Sequence, residues 1–268
     1  MQSVWNRTPD PFQAEVTPLI LQMIANDKVP EPILVVQPTS SGKSSVPQTV
    51  SVVCSGVTII LECTQALGSE QASKITQASK SNGALVHACQ LDTYKTTQDR
   101  KAFASNMLSI MKEEHHSSID KGIASFILFT SPEALLDPIW SAFLDDVLLI
   151  GMLTLLCIDE IHMFVEFGLS FRKEFIKLRE HVFVEALITN NENISVSQLK
   201  VLTLCMAAKF NIESLRLLQL TMSVRFNYHC IFLNDKSQFR KRHVHIKAEH
   251  ASKSKRLLRK ILHESLSI

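Results

Sequence analysis

Long apolar runs, closely spaced cysteines, aromatic clusters and internal repeats are scarce or missing in this chain of 268 residues. The longest apolar run covers residues 147–158, between Asp145-Asp146 and Asp159-Glu160. That is well short of the roughly 20 residues a bilayer crossing needs, so it reads as a buried strand with its approach helix. The six cysteines (Cys54, Cys63, Cys89, Cys157, Cys205 and Cys230) form no CxxC pair. Four of them sit in apolar strand-like runs, where a free thiol behaves as a small hydrophobe, and a reducing nuclear or cytoplasmic setting follows. Aromatic residues make up 7% of the chain, too few for a single-strand-binding platform of many stacked rings. No period of about 20 to 50 residues recurs, which excludes a solenoid. The start, Met1 to Pro11, is polar and reads as carrying no signal peptide.

Net charge is also small, with 28 Lys and Arg against 26 Asp and Glu, but its distribution is lopsided. Between Lys236 and Lys260 stand ten basic residues and one acid, Glu249, a local +9 that leaves −7 on the remainder. The chain is therefore an acidic body with a basic tail.

What is present is enough apolar residue, 46%, to bury a substantial core, in an alternating pattern. Short β-branched or Leu-rich runs predict strands at 33–36, 57–61, 84–88, 125–129, 154–158 and 201–205. Helical periods predict helices at about 14–26, 44–53, 69–80, 96–114, 132–143, 171–186 and 212–220. Strand–helix alternation of this kind is the signature of βαβ units and a mostly parallel sheet covered on both faces. After Lys236 the pattern changes to a basic stretch and an amphipathic helix at 252–265, with a domain edge near Asn227.

Two strings carry chemistry. After the first strand comes Gln37-Pro38-Thr39-Ser40-Ser41-Gly42-Lys43-Ser44, followed by a helix. A loop there can wrap phosphates with backbone N–H groups, Lys43 can reach β and γ oxygens, and the Ser44 hydroxyl can hold Mg²⁺. Gln37 replaces the first glycine of the usual pattern, and a Ser-rich turn with an exposed lysine is the competing reading of the octet alone. The second string, Leu155 to His162, ends an apolar strand in Asp159-Glu160. Carboxylates at the carboxyl edge of a parallel sheet stand where open α/β folds bind ligands. Beside a phosphate loop, Asp159 can take the Mg²⁺ through water and Glu160 can polarise the attacking water. His162, two residues on, can relay the state of the γ-phosphate.

The stretch Asp159 to Phe175 resembles the DEAH-type box and the following aromatic-rich loop of RecQ-like superfamily 2 DNA helicases, with Phe167, Gly168, Phe171 and Arg172 as the specific part. Gln13 resembles the adenine-reading glutamine of the family's motif 0, Glu62 to Gln71 its motif Ia, and Thr130-Ser131-Pro132-Glu133 its motif Ib. The resemblance runs from about Phe12 to Leu220. It implies a three-layer α/β P-loop NTPase fold of RecA-like type, with a mostly parallel central sheet and a basic C-terminal helical extension. It also implies ATP and Mg²⁺ as ligands, with nucleotide contacts from Gln13, Thr39, Ser40, Ser41, Gly42, Lys43 and Ser44. Metal contacts would come from Ser44 and Asp159, catalysis from Glu160 and Lys43, and coupling from His162, Phe167 and Arg172. Thr130 and Ser131 would touch the backbone of single-stranded or forked DNA. The cluster Arg240, Lys241 and Arg242 fits either phosphate contact or a solvated helix face.

Three departures stand out. Met206-Ala207-Ala208 replaces the Thr/Ser-Ala-Thr core of motif III, so both hydroxyls are missing. Asp10 stands where an arginine usually precedes the motif 0 glutamine, and Phe167 stands for tryptophan. Residues 1–227 are expected to form the ATP-binding domain. Residues 228–268 resemble the linker and basic helix leading toward a second RecA-like domain, for whose arginine a separate chain is one source. An ATP-binding domain lacking that arginine is expected to turn over very slowly and to unwind nothing unaided.

Overall fold

The computed structural model describes residues 8–25, 32–54, 56–62, 64–82, 86–117, 124–163 and 201–208, with the shorter pieces 216, 218, 227–228, 231–232 and 242–243. The described elements are α1 (Pro11–Ala25), β1 (Ile33–Val36), α2 (Ser45–Cys54), β2 (Gly56–Leu61), α3 (Gln65–Asn82) and β3 (Val86–Gln90). There follow a 3₁₀ turn (Leu91–Thr93), α4 (Thr97–Ser117), β4 (Ser125–Thr130), α5 (Pro132–Leu135), α6 (Pro138–Leu149), β5 (Leu153–Ile158) and β6 (Leu202–Ala207). The short strands β7 (Asn227–Tyr228), β8 (Ile231–Phe232) and β9 (Arg242–His243) come last.

β1 to β7 form one sheet in the order β3-β4-β2-β5-β6-β1-β7, with every pairing parallel. β8 and β9 pair antiparallel. The strands read as near-continuous apolar runs because alternate residues enter two different cores. Ile33 and Val35 of β1 pack with Phe12, Val16 and Ile20 of α1, Val46 and Val50 of α2 and Ile75 of α3. Leu34 and Val36 face the other way, toward Met107 and Met111 of α4 and Trp140, Phe143 and Val147 of α6. Helices thus cover both faces, giving the expected three layers.

The predicted helix at 132–143 is two helices. Pro138 has no N–H to continue the first turn, and the Asp137 side chain accepts a hydrogen bond from Ile139 N at 3.0 Å, starting α6 afresh. α1 begins three residues before the predicted start because Pro11 suits a first helical position and Ala14 N already donates to Asp10 O at 2.9 Å. β3 lies two residues later than predicted. It is an edge strand, buried only at its end, so its apolar pattern is weak. Arg216 and Leu218 are helical, as the 212–220 reading expects; the predicted helices 171–186 and 252–265 lie outside the described residues.

Candidate nucleotide site

The loop between β1 and α2 turns through two left-handed residues, Ser40 (φ 64°) and Gly42 (φ 79°). At Gly42 a side chain is excluded twice over, because a Cβ there would also stand 2.3 Å from Gln13 Nε2. That amide donates to Gly42 O at 3.0 Å, while Gln13 Oε1 accepts from Asp10 N at 2.9 Å, so the start of α1 is tied to the loop. Ser45 starts the helix, its hydroxyl donating to Gly42 O at 2.7 Å, and Ser44 is the turn residue before it. Thr39 and Ser40 are exposed and Ser41 half-buried. Lys43 is buried, and its ammonium donates to Gln37 O at 2.8 Å and to Pro38 O at 3.1 Å. The reading of an exposed lysine on a Ser-rich turn therefore does not hold. A cavity of about 580 Å³ opens beside the loop, lined by Asp10, Gln13, Ser41, Gly42, Gln48 and Gln71 among others.

The acidic pair follows β5 at the same sheet edge. Asp159 N donates to Leu61 O at 2.9 Å, and Glu160 adopts φ 50°, a left-handed conformation uncommon outside glycine. Its N–H donates to Asp159 Oδ1 at 2.9 Å. Glu160 Oε2 accepts from Ala208 N at 3.3 Å and lies 3.1 Å from His162 Nδ1, within ion-pair range when the ring is protonated. The strand end bearing Met206 and Ala207 sits between loop and acidic pair: Ile161 N donates to Met206 O at 2.8 Å and Gln37 N to Ala207 O at 2.9 Å. The stretch resembling motif III thus meets both through backbone atoms.

Electrostatically the site is crowded with negative charge. Burial, then the neighbouring Glu160, pushes Asp159 up to about 6, against the opposing pull of the Glu160 N–H, Lys43 and His162. Glu62, at the end of β2, is raised further, to about 8, by burial and then by Asp159 and Glu160. Its Oε1 accepts from Gln71 Nε2 at 2.7 Å, and Gln71 Oε1 accepts in turn from Gln48 Nε2 at 2.7 Å. Sequence reasoning assigned no acid role to Glu62. The available signal was a carboxylate directly after an apolar strand, the same pattern that exposed Asp159.

Thr130 is buried, its hydroxyl donating to Ser131 O at 3.3 Å. Ser131 caps α5, its hydroxyl accepting from Ala134 N at 3.2 Å and donating to Asp92 Oδ1. Asp92 also accepts from Ser131 N and Gln90 Nε2, both at 2.9 Å, and its backbone O accepts from Gln65 Nε2 at 2.9 Å. One aspartate thus pins the segments resembling motifs Ia and Ib together. Of the remaining predicted residues, Phe167, Arg172, Arg240 and Lys241 lie outside the described residues, and Arg242 is described only as backbone in β9. No group of three or more His, Cys, Asp or Glu side chains that could hold a metal ion occurs among the described residues, nor is any described helix long and apolar enough to cross a membrane.

A parallel sheet with a phosphate-type loop after one strand and an acidic pair after another, on one edge, defines a RecA-like nucleotide-binding domain of the helicase class. Residues 10–208 match the DEAD/DEAH box helicase family, and the chain belongs to it. Among solved structures, the DUF1998 helicase MrfA bound to DNA is similar at TM-score 0.50 and 15% identity, over 81% of this chain and 27% of MrfA. A dbp5 of S. cerevisiae bound to nup159, gle1, IP6 and ADP is similar at TM-score 0.51 and 11% identity, over 87% of this chain and 51% of that one. These likenesses carry the fold, and the chain spans about a quarter of the first and half of the second. No curated protein matches the sequence.

Proposed function

We propose that residues 1–227 are the ATP-binding motor domain of a RecQ-like DNA helicase of 3′–5′ polarity, and that 228–268 lead toward a second RecA-like domain in the same or a separate chain. The observation that carries this reading is the placement of Lys43 and of Asp159-Glu160 on one carboxyl edge, joined by the strand end at Met206-Ala207. The RecQ-like assignment rests on the Phe167, Gly168, Phe171 and Arg172 spacing, and a role in DNA repair or recombination would follow from it.

In this reading the triphosphate lies against the loop, and Lys43 exchanges the two loop carbonyls for phosphate oxygens. Gln13, oriented by Asp10 N–H, faces the adenine, and Thr39, Ser40, Ser41 and Gly42 line the phosphate path. Hard oxygen donors at Ser44 and Asp159, in a pocket with surplus negative charge, fit Mg²⁺. Held there, the ion would supply positive charge against the charge that develops on the transferred phosphoryl group. Glu160 orients the attacking water and takes its proton. His162, beside Glu160 Oε2, passes the carboxylate's state to Phe167 and Arg172 in the following loop. Thr130, Ser131 and the basic cluster Arg240, Lys241 and Arg242 serve single-stranded or forked DNA, the first two as the floor of that surface.

The test is ATP hydrolysis by this chain with and without single-stranded DNA. Slow turnover that DNA raises and that Glu160→Gln abolishes supports the motor-domain reading. ATP and DNA binding without stimulation selects a non-enzymatic binding module instead, the reading that the hydroxyl-free Met206-Ala207-Ala208 core favours.

A further inference from the structure

We propose that Glu62 is a positioning residue for the divalent cation, its Oε2 accepting a hydrogen bond from a water in the Mg²⁺ shell that Ser44 and Asp159 hold. The inference rests on the nucleotide reading above and adds a third carboxylate to it.

Glu62 directly follows β2, and Asp159 directly follows β5. Leu61 pairs with Ile158 across the parallel ladder, and Leu61 O accepts from Asp159 N at 2.9 Å. The two carboxylates therefore leave adjacent strand ends in register, and side chains in register on neighbouring strands leave the sheet on the same side. Glu62 is only 2% exposed. Its Oε1 is fixed by Gln71, itself fixed by Gln48, so a chain of side-chain hydrogen bonds from α2 through α3 sets the carboxylate's orientation. Oε2 is buried and has no hydrogen-bond partner among the described residues. A buried carboxyl oxygen left unpaired costs free energy unless something supplies a donor.

The charge balance says what the donor is. Asp159 and Glu160 both act on Glu62 by repulsion. In the metal-free chain a proton on Glu62 relieves that repulsion, and a divalent cation would relieve it for all three carboxylates at once. Mg²⁺ keeps several of its waters when protein-bound, and those waters are polarised donors. A carboxylate one water removed from the ion orients that water and raises affinity, typically by 10- to 100-fold. A merely structural Glu62, holding Gln71 and nothing else, would be replaced by glutamine without any effect on the ion.

The experiment uses the full chain with ADP and Mn²⁺ as a paramagnetic probe, read by electron paramagnetic resonance, on the native protein, E62Q, D159N and Gln71→Met. Glu62→Gln should keep metal-free ADP affinity and lose roughly tenfold in Mn²⁺ affinity. Gln71→Met, which releases the carboxylate, should shift Mn²⁺ affinity in the same direction by a smaller factor. E62Q within twofold of native while D159N loses Mn²⁺ overturns the role of Glu62 and leaves the site reading intact. Should E62Q fail to fold, an unshifted Gln71→Met overturns it equally. Native Mn²⁺ affinity in D159N overturns the placement of the cation itself.

Discussion

Replacing Glu62 by glutamine should flatten a pH-dependent stability that the native chain carries. Burial, then Asp159 and Glu160, raises the Glu62 carboxyl from 4.5 to about 8. In the unfolded chain the group titrates near its ordinary value, so between those two values the folded state holds a proton that the unfolded state has lost. Stability therefore falls as pH rises: the contribution is fully present below about 4.5 and gone above about 8. At about 1.36 kcal/mol per unit the full span is on the order of 5 kcal/mol. Asp159, raised to about 6, adds a loss of the same sign confined to lower pH. Glutamine cannot ionise and still offers Gln71 an oxygen, so E62Q should lose about 2 kcal/mol less than the native chain between pH 6 and pH 8. Urea unfolding at pH 5, 6, 7 and 8 with EDTA present measures this. Parallel stability curves for native and E62Q would refute the argument.

Gly42→Ala should cost about 1–3 kcal/mol and weaken nucleotide binding, since its Cβ meets Gln13 Nε2 and its φ is left-handed; thermal melts with and without ATP check both. Trp140→Ala should destabilise by about 3–5 kcal/mol in urea unfolding, because the indole is buried against Tyr94, Phe103 and Phe143. Deleting Lys236 to Ile268 should lower affinity for single-stranded DNA and flatten its salt slope while sparing ATP protection, because the +9 segment sits on a body of net −7. An unchanged slope would assign those residues to a solvated helix face.

The central strands were legible because they are buried on both sides: β1 reads Ile-Leu-Val-Val and β2 reads Gly-Val-Thr-Ile-Ile-Leu, runs that a helix of this size would not need. Edge strand β3, with His87 exposed, carries a diluted pattern, and its predicted position slipped by two residues. The break between α5 and α6 was encoded in Asp137-Pro138, a cap and a first-turn proline, but the apolar period ran across it and hid the stop. At the site, Lys43, Asp159 and Glu160 follow strands as motifs of recognisable order. Glu62 follows a strand too, yet its importance arises from register with β5, and strand order is a tertiary property that no local pattern states. The same applies to Asp92, whose carboxylate meets Ser131, 39 residues away.

Calorimetric titration of Mg-ATP into the native chain, Lys43→Ala and Asp159→Asn tests the central claim most directly. The account predicts saturable binding by the native chain, loss of most of that affinity in Lys43→Ala, and in Asp159→Asn a loss that appears with Mg²⁺ present and vanishes in EDTA. Equal Mg-ATP affinity in all three proteins would contradict it.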